Sequence, residues 1–196
     1  VKIWCPIPIR KSLTASHLSH VKWLGINEIK SPPDVIGIAL WIDALFGLGQ
    51  TRPLPHFISE LFEERQKHCP GRLISLDVPS GLCSDTGVVF QGGAAYASIT
   101  LTVGLIKEGL VQDAALSNIG HIERIDIGFP VNKLEVLEGK LARRICSSDL
   151  AEIPFPSLNS AATKYQRGRV LVCAGSKQYP GASLLALRGT LASGVG

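Results

Sequence analysis

Two stretches of this chain end a strand-like run on an aspartate and follow it at once with a turn. Residues 35–53 read V-I-G-I-A-L-W-I-D-A-L-F-G-L-G-Q-T-R-P, apolar as far as Asp43 and glycine-rich beyond it. Residues 73–87 read L-I-S-L-D-V-P-S-G-L-C-S-D-T-G. There the run stops at Asp77, Pro79 bars a simple continuation of the ladder, and Ser80-Gly81 supplies a turn. A nearly unbroken apolar strand is buried on both faces, as in a parallel sheet flanked by helices. Such sheets meet ligands on the loops at the carboxyl ends of their strands. The repeat therefore predicts an α/β fold in which Asp43 and Asp77 converge, beside Ser80, on one hollow at one rim of the sheet.

The rest of the chain keeps that rhythm. Residues 1–5 are short and apolar and suit a strand. Residues 16–24 carry Leu18, Val21 and Leu24 at helical spacing, with Gly25 as a stop. Residues 56–68 place Phe57, Ile58, Leu61, Phe62 and Arg65 on one helical side and Glu60, Glu63 and Glu64 on another, and Pro70-Gly71 closes the helix. Strands are expected over 98–103 and 122–127, with a brief helix over 111–116. Strand, loop, helix and strand in alternation imply right-handed crossovers and a mostly parallel sheet. The rhythm breaks over 140–164, where Pro154, Pro156 and Asn159 have loop chemistry. A second unit opens at Arg169 with R-V-L-V-C-A-G-S, a strand into a glycine turn, and a helix over 181–191.

Charge and cysteine usage narrow the function. The net charge of +4 is dispersed, and no basic block has aromatics interleaved, which argues against nucleic acid. No uncharged apolar run reaches the roughly 18 residues of a membrane helix, and the first residues lack signal-peptide character. Cys5, Cys69, Cys83, Cys146 and Cys173 are odd in number and contain no C-x-x-C, which favours a reducing, cytoplasmic setting over a disulfide framework or zinc site. His17 and His20 are spaced for one helix face but have no evident third ligand. The chain has no methionine, so its ends read as cut from a longer protein.

Each motif has a plain alternative. Asp43 can cap a turn while the glycines merely permit it. The segment 47–52 misses G-x-G-x-x-G, because Arg52 stands where the third glycine belongs, but its amides can still cradle phosphate with Arg52 beside them. Ser80 lacks the G-x-S-x-G of a nucleophile elbow, and oxygen ligation of a hard cation beside a carboxylate suits it better. The glycine turn from Gly175 misplaces its lysine, Lys177, for a Walker loop. Lys107 and Asp126, at other strand ends, read as solvated or capping groups.

Taken in order, I-D-A-L-F-G-L-G, L-D-V-P-S-G-L-C-S-D-T-G, T-L-T-V-G-L-I-K-E-G-L and D-I-G-F-P resemble the NAD(P)H-hydrate epimerase domain, also called the YjeF N-terminal domain. The tail from Lys164 resembles the opening of the ADP-dependent NAD(P)H-hydrate dehydratase domain. That order is the order of the fused bifunctional repair enzymes. The resemblance implies a Rossmann-like three-layer α/β/α domain over 1–145, without its first strand and glycine-rich G-N-G-G-D-G loop. A linker over 146–168 and the first strand and helix of a truncated ribokinase-like domain over 169–196 would follow.

Site residues carry over position by position. Asp43 and Ser80 match the side chains that hold a potassium ion. Gly47, Leu48, Gly49, Gln50, Thr51, Arg52 and Pro53 match a loop that contacts the hydrated dinucleotide. Asp77 matches a substrate-binding aspartate at the reacting ring, and Ala182 matches a position that lines the hydrated-nicotinamide pocket of the dehydratase. The implied chemistry interconverts the R and S forms of hydrated NADH and NADPH. ADP or ATP would serve the complete dehydratase, which returns the S form to NADH or NADPH; this chain is incomplete for both activities. Inversion is expected to loosen the ring carbon–oxygen bond, with Asp77 handling the proton and partial burial raising its pKa. The expected partner is the small-molecule dinucleotide, with neither nucleic acid nor membrane, and with a homo-oligomer allowed. A non-enzymatic scaffold of the same fold is the alternative, and a plain dehydrogenase suffers from the missing fingerprint.

Overall fold

The computed structural model describes residues 1–136, 142, 144–153 and 159–195. The chain divides into two compact units, Val1–Glu138 and Gly139–Gly196. In the first unit the order is β1 (Lys2–Trp4), α1 (Ser12–Trp23), β2 (Asn27–Ile29), β3 (Trp41–Asp43), α2 (His56–His68), β4 (Leu73–Leu76), β5 (Ile99–Val103), α3 (Leu116–Ile119), β6 (His121–Ile125) and α4 (Val131–Glu135). The second unit holds α5 (Ser147–Ala151) and α6 (Pro180–Ala192).

The architecture is α/β with parallel sheets, as the strand–helix alternation requires. β1 and β2 form a two-stranded parallel sheet, and a second sheet runs β3-β4-β5-β6 with every neighbouring pair parallel. Asp43 lies opposite Ser75, and Ser75 opposite Thr100. All four strands of this sheet therefore present their carboxyl ends to the same rim.

Helix α2 forms where its spacing predicts. Pro55 precedes it, where a missing N–H costs nothing. Ile58 and Phe62 are buried with Leu54, Leu73, Ala95 and Ala97, and Trp41, Leu45 and Phe46 pack against them. Burying Ile58 and Phe62 contributes about 1.5–3 kcal/mol each. A second cluster, Val78, Leu82, Leu110, Ala115 and Ile119, lies under the loop after β4. These two clusters fix where the loops after β3 and β4 begin. Helix α1 ends through Leu24 into Gly25, whose φ of +84° suits glycine.

Residues 35–40 do not continue β3 backwards as expected, and they are not buried on both faces; Ile38 is 84% exposed. Their carbonyls go to side chains instead of a ladder. The buried Arg65 donates to Val35 O at 3.0 Å, to Gly37 O at 2.6 Å and to Ala39 O, and Arg72 donates to Ile38 O at 3.0 Å. The Arg65 guanidinium also stacks 4.8 Å from the Trp41 ring centroid.

The helix expected over 111–116 is instead 3-10 turns at Glu108–Val111 and Asp113–Ala115 leading into α3. Gly109 is drawn onto the loop after β4, its amide donating to Ser84 O at 2.8 Å. In the second unit, α6 covers the predicted helix, but no strand forms over 169–175. A strand needs a neighbour for its amides, and among the described residues this segment has none; Leu171 is 87% exposed. Pro154 and Pro156 lie outside the described residues. Among the described residues no helix is long and apolar enough to cross a membrane.

Candidate functional site

β3 delivers Asp43 to the rim of the sheet, and β4 leads into Asp77, two residues beyond Ser75, the register partner of Asp43. Asp43 is only 4% exposed. Its Oδ1 accepts from the Ser80 hydroxyl at 2.6 Å and the Leu45 amide at 3.3 Å. Its Oδ2 accepts from the Ser80 amide at 2.8 Å and the Ser75 hydroxyl at 3.0 Å. Burial pushes this carboxyl above its ordinary pKa, and the bonds from Ser80, Leu45 and Ser75 offset only part of that. The Leu45 contact is the capping role that an isolated aspartate would have, but the bonds to Ser75 and Ser80 go further and bind two strand ends together.

Asp77 sits in a different environment. Its φ is +70°, the left-handed region that aspartate tolerates better than most residues. Its side chain is 24% exposed and pairs with Lys107, itself 11% exposed. Oδ1 accepts from the Lys107 ammonium and from the Val103 amide at 3.4 Å, and Oδ2 accepts from the Leu48 amide at 3.0 Å. Burial pushes Asp77 upward, but Lys107 and the Leu48 and Val103 amides outweigh it and hold the carboxyl below the ordinary aspartate range. The upward shift expected from the strand-end setting is therefore corrected: the lysine, unseen as a partner in the sequence, reverses the sign.

Four bonds fasten the loop after β3 to the loop after β4. The Phe46 amide donates to Ser80 Oγ at 3.1 Å, Leu48 to Asp77, the Gly81 amide to Gln50 Oε1 at 2.9 Å, and Ser84 Oγ to Leu48 O at 3.3 Å. Gly47 permits the closest approach; a Cβ there would lie 2.8 Å from Asp77 Oδ2. Gly49, Thr51, Arg52 and Pro53 form the exposed remainder of that loop, with Arg52 O accepting from the Gln50 amide nitrogen Nε2 at 2.8 Å.

The structure thus brings together Asp43 at the end of β3 and Gly47, Leu48, Gln50, Asp77 and Ser80 on the two laced loops. The two carboxylates share no hydrogen-bond donor: Asp43 is an inward strut and Asp77 a part-exposed group. A groove of about 890 Å³ runs along the open side of β3, lined by Trp4, Ile38, Trp41, Asp43 and Phe62 among others, and takes in neither Asp77 nor Ser80. Ala182 is exposed at the start of α6, in the second unit. His20 stacks on Trp23 at 5.6 Å, and the described residues hold no group of three or more His, Cys, Asp or Glu suited to a metal. Lys107 is the residue that strand-end reasoning passed over; its position just beyond Gly104, on the loop of the next strand in the sheet, was the available signal.

Residues 1–109 match the family described as YjeF-related protein N-terminus. Three proteins named bifunctional NAD(P)H-hydrate repair enzyme Nnr align with the whole chain. The protein of Gloeobacter violaceus is 37% identical, that of Synechocystis sp. 35% and that of Thermosynechococcus vestitus 34%. This chain spans 39%, 37% and 39% of their respective lengths. The match covers β1 through β5 and every residue of the Asp43, Asp77, Ser80 and Lys107 cluster, and on that ground the chain belongs to the YjeF-related N-terminal family.

Proposed function

We propose that the first unit is an NAD(P)H-hydrate epimerase, inverting the hydroxyl-bearing ring carbon beside the nitrogen in hydrated NADH and NADPH. The observation that carries this reading is Asp77, a part-exposed carboxylate held by Lys107 and two amides where the loops after β3, β4 and β5 meet. Asp77 handles the proton of the ring hydroxyl. The loop Gly47–Pro53 follows the dinucleotide, with its exposed amides and Arg52 meeting phosphate. Residues 1–145 form this domain, 146–168 a linker, and 169–196 the opening of an ADP-dependent dehydratase in which Ala182 faces the hydrated ring. Dehydration of the S form belongs to a longer protein of the same kind.

Asp43 and Ser80 supply two oxygens of a potassium site in this reading. They are oxygen ligands of the kind a hard cation takes, a carboxylate and a hydroxyl, both buried and 2.6 Å apart. The hydroxyl proton now lies between them, so a cation requires that hydrogen to rotate away. When bound, potassium would supply positive charge beside the dinucleotide phosphates. The residues themselves tie β3 to the loop after β4 and so fix where Asp77 stands.

The test is inversion of the separated R and S forms of hydrated NADH by the full-length protein that carries this sequence, followed by chiral chromatography. Approach to the same mixture from either form, faster than in buffer, is expected, with Asp77→Asn at least about 100-fold slower. Binding of the dinucleotide without inversion would make the unit a scaffold and overturn the proposal.

A further inference from the structure

Lys107 carries three N–H donors, and each has an acceptor within the protein: Asp77 Oδ1, Val103 O at 2.7 Å and Thr102 Oγ1 at 3.3 Å. None remains to offer a ligand. Asp77 is held only by N–H groups, from Lys107, Leu48 and Val103, and every one of them favours the carboxylate over the acid. Oδ2 accepts a single protein hydrogen bond and keeps acceptor capacity, and Gly47 brings no side chain against it. Lys107 is the one charged group among the described residues in contact with Asp77; the loop after β3 offers it only an amide, and β5 offers it only Val103. The cluster presents a base and no acid.

We infer that Lys107 is a positioning residue that holds Asp77 as an acceptor-only base, so that inversion opens the ring at its carbon–nitrogen bond and not at its carbon–oxygen bond. This rests on the epimerase reading. Expelling the hydroxyl as a first step needs a proton already in place for the departing oxygen, whereas Asp77 rests as a carboxylate among N–H donors and all three Lys107 donors are engaged. Removing the hydroxyl proton needs only Oδ2. The freed electron pair forms a carbonyl, the carbon–nitrogen bond breaks, and its pair passes to the ring nitrogen and spreads toward the carboxamide. Rotation about the neighbouring carbon–carbon bond turns the carbonyl's other face to the nitrogen. The nitrogen closes the ring, and Asp77 returns the proton to oxygen. No atom is gained or lost and nothing is oxidised.

Two measurements on the full-length protein decide this. In ¹⁸O-labelled water, inversion that retains the original oxygen is expected; one label gained per inversion overturns the ring-opening route. Lys107→Met should lower kcat about 100-fold with KM nearly unchanged and move the acid limb of the pH profile upward, while Lys107→Arg, which keeps the charge, recovers part of the rate. A folded Lys107→Met with wild-type kcat and an unmoved acid limb overturns the positioning role. If that variant does not fold, the label experiment on the wild type still decides the route. A wild-type full-length protein that does not invert either form overturns the epimerase reading itself, whereas turnover with label uptake overturns this inference alone.

Discussion

Ser80 binds Asp43 twice, through its hydroxyl at 2.6 Å and its amide at 2.8 Å, across a separation of 37 residues. The pair closes the sheet rim where β3 and β4 end. Four donors surround the carboxylate, so replacing it with an amide forces an NH₂ group against donors. Asp43→Asn should cost about 2 kcal/mol, read as a lower urea midpoint. The same substitution should abolish any rise in thermal midpoint when potassium chloride replaces sodium chloride at equal ionic strength. A potassium-specific rise that survives Asp43→Asn would remove Asp43 from the cation site.

The two aspartates should titrate in opposite directions. Asp77 is held low by Lys107 and two amides against the upward push of burial, and Asp43 is held high by burial. For Asp77 the folded pKa lies below the unfolded value of about 3.9, so its stabilising share is present above that pH and lost as pH falls through the folded value. For Asp43 the folded pKa lies above the unfolded value. Its protonated form is favoured by folding, and that contribution fades as pH rises through the folded value. Carboxyl ¹³C shifts followed across the acid range check both. Lys107→Met should raise the Asp77 midpoint and leave Asp43 where it is.

Arg65 anchors the segment before β3 by three carbonyls and lies under Trp41. Arg65→Met fills similar space but leaves Val35 O and Ala39 O without donors, and Gly37 O with only the Cys69 thiol at 3.6 Å. A loss of about 3 kcal/mol in unfolding free energy is expected, by urea titration. Because α2 and the sheet remain packed, circular dichroism in the absence of urea should change little.

Gly81 and Gly47 should separate stability from ligand binding. Gly81 has φ of +95°, and a Cβ there would overlap the Gly93 carbonyl and approach Ala94 Cα to 2.7 Å. Gly81→Ala should therefore cost several kcal/mol, more than about 2. Gly47 has no such backbone constraint, and the three atoms nearest its added Cβ all belong to the Asp77 side chain. Gly47→Ala should keep most of the stability and weaken dinucleotide binding about tenfold or more, by calorimetry.

Strand ends and helices set by local spacing were readable in the sequence. α2 and β4 fall at 56–68 and 73–76, where periodicity and the Pro-Gly stop place them. The ordering Asp43, Gly47, Asp77, Ser80 also shows the pairing of two loops, because a parallel sheet brings successive strand ends to one rim. What local pattern could not reveal is a side chain reaching across elements. Arg65 turns an apolar, strand-like 35–40 into a clamped loop from a distance of up to 30 residues. Lys107 reverses the pKa direction of Asp77 from 30 residues away. Both are long cations whose partners are chosen by tertiary packing, and neither has a short-range signature.

The most direct measurement is a structure of the chain with the non-inverted form of hydrated NADH, trapped with Asp77→Asn to slow turnover. The prediction is that the ring hydroxyl oxygen lies about 3 Å from the side chain at position 77, with the dinucleotide passing over residues 47–53. A bound dinucleotide whose hydroxylated ring lies away from position 77, or along the groove beside β3, would contradict it.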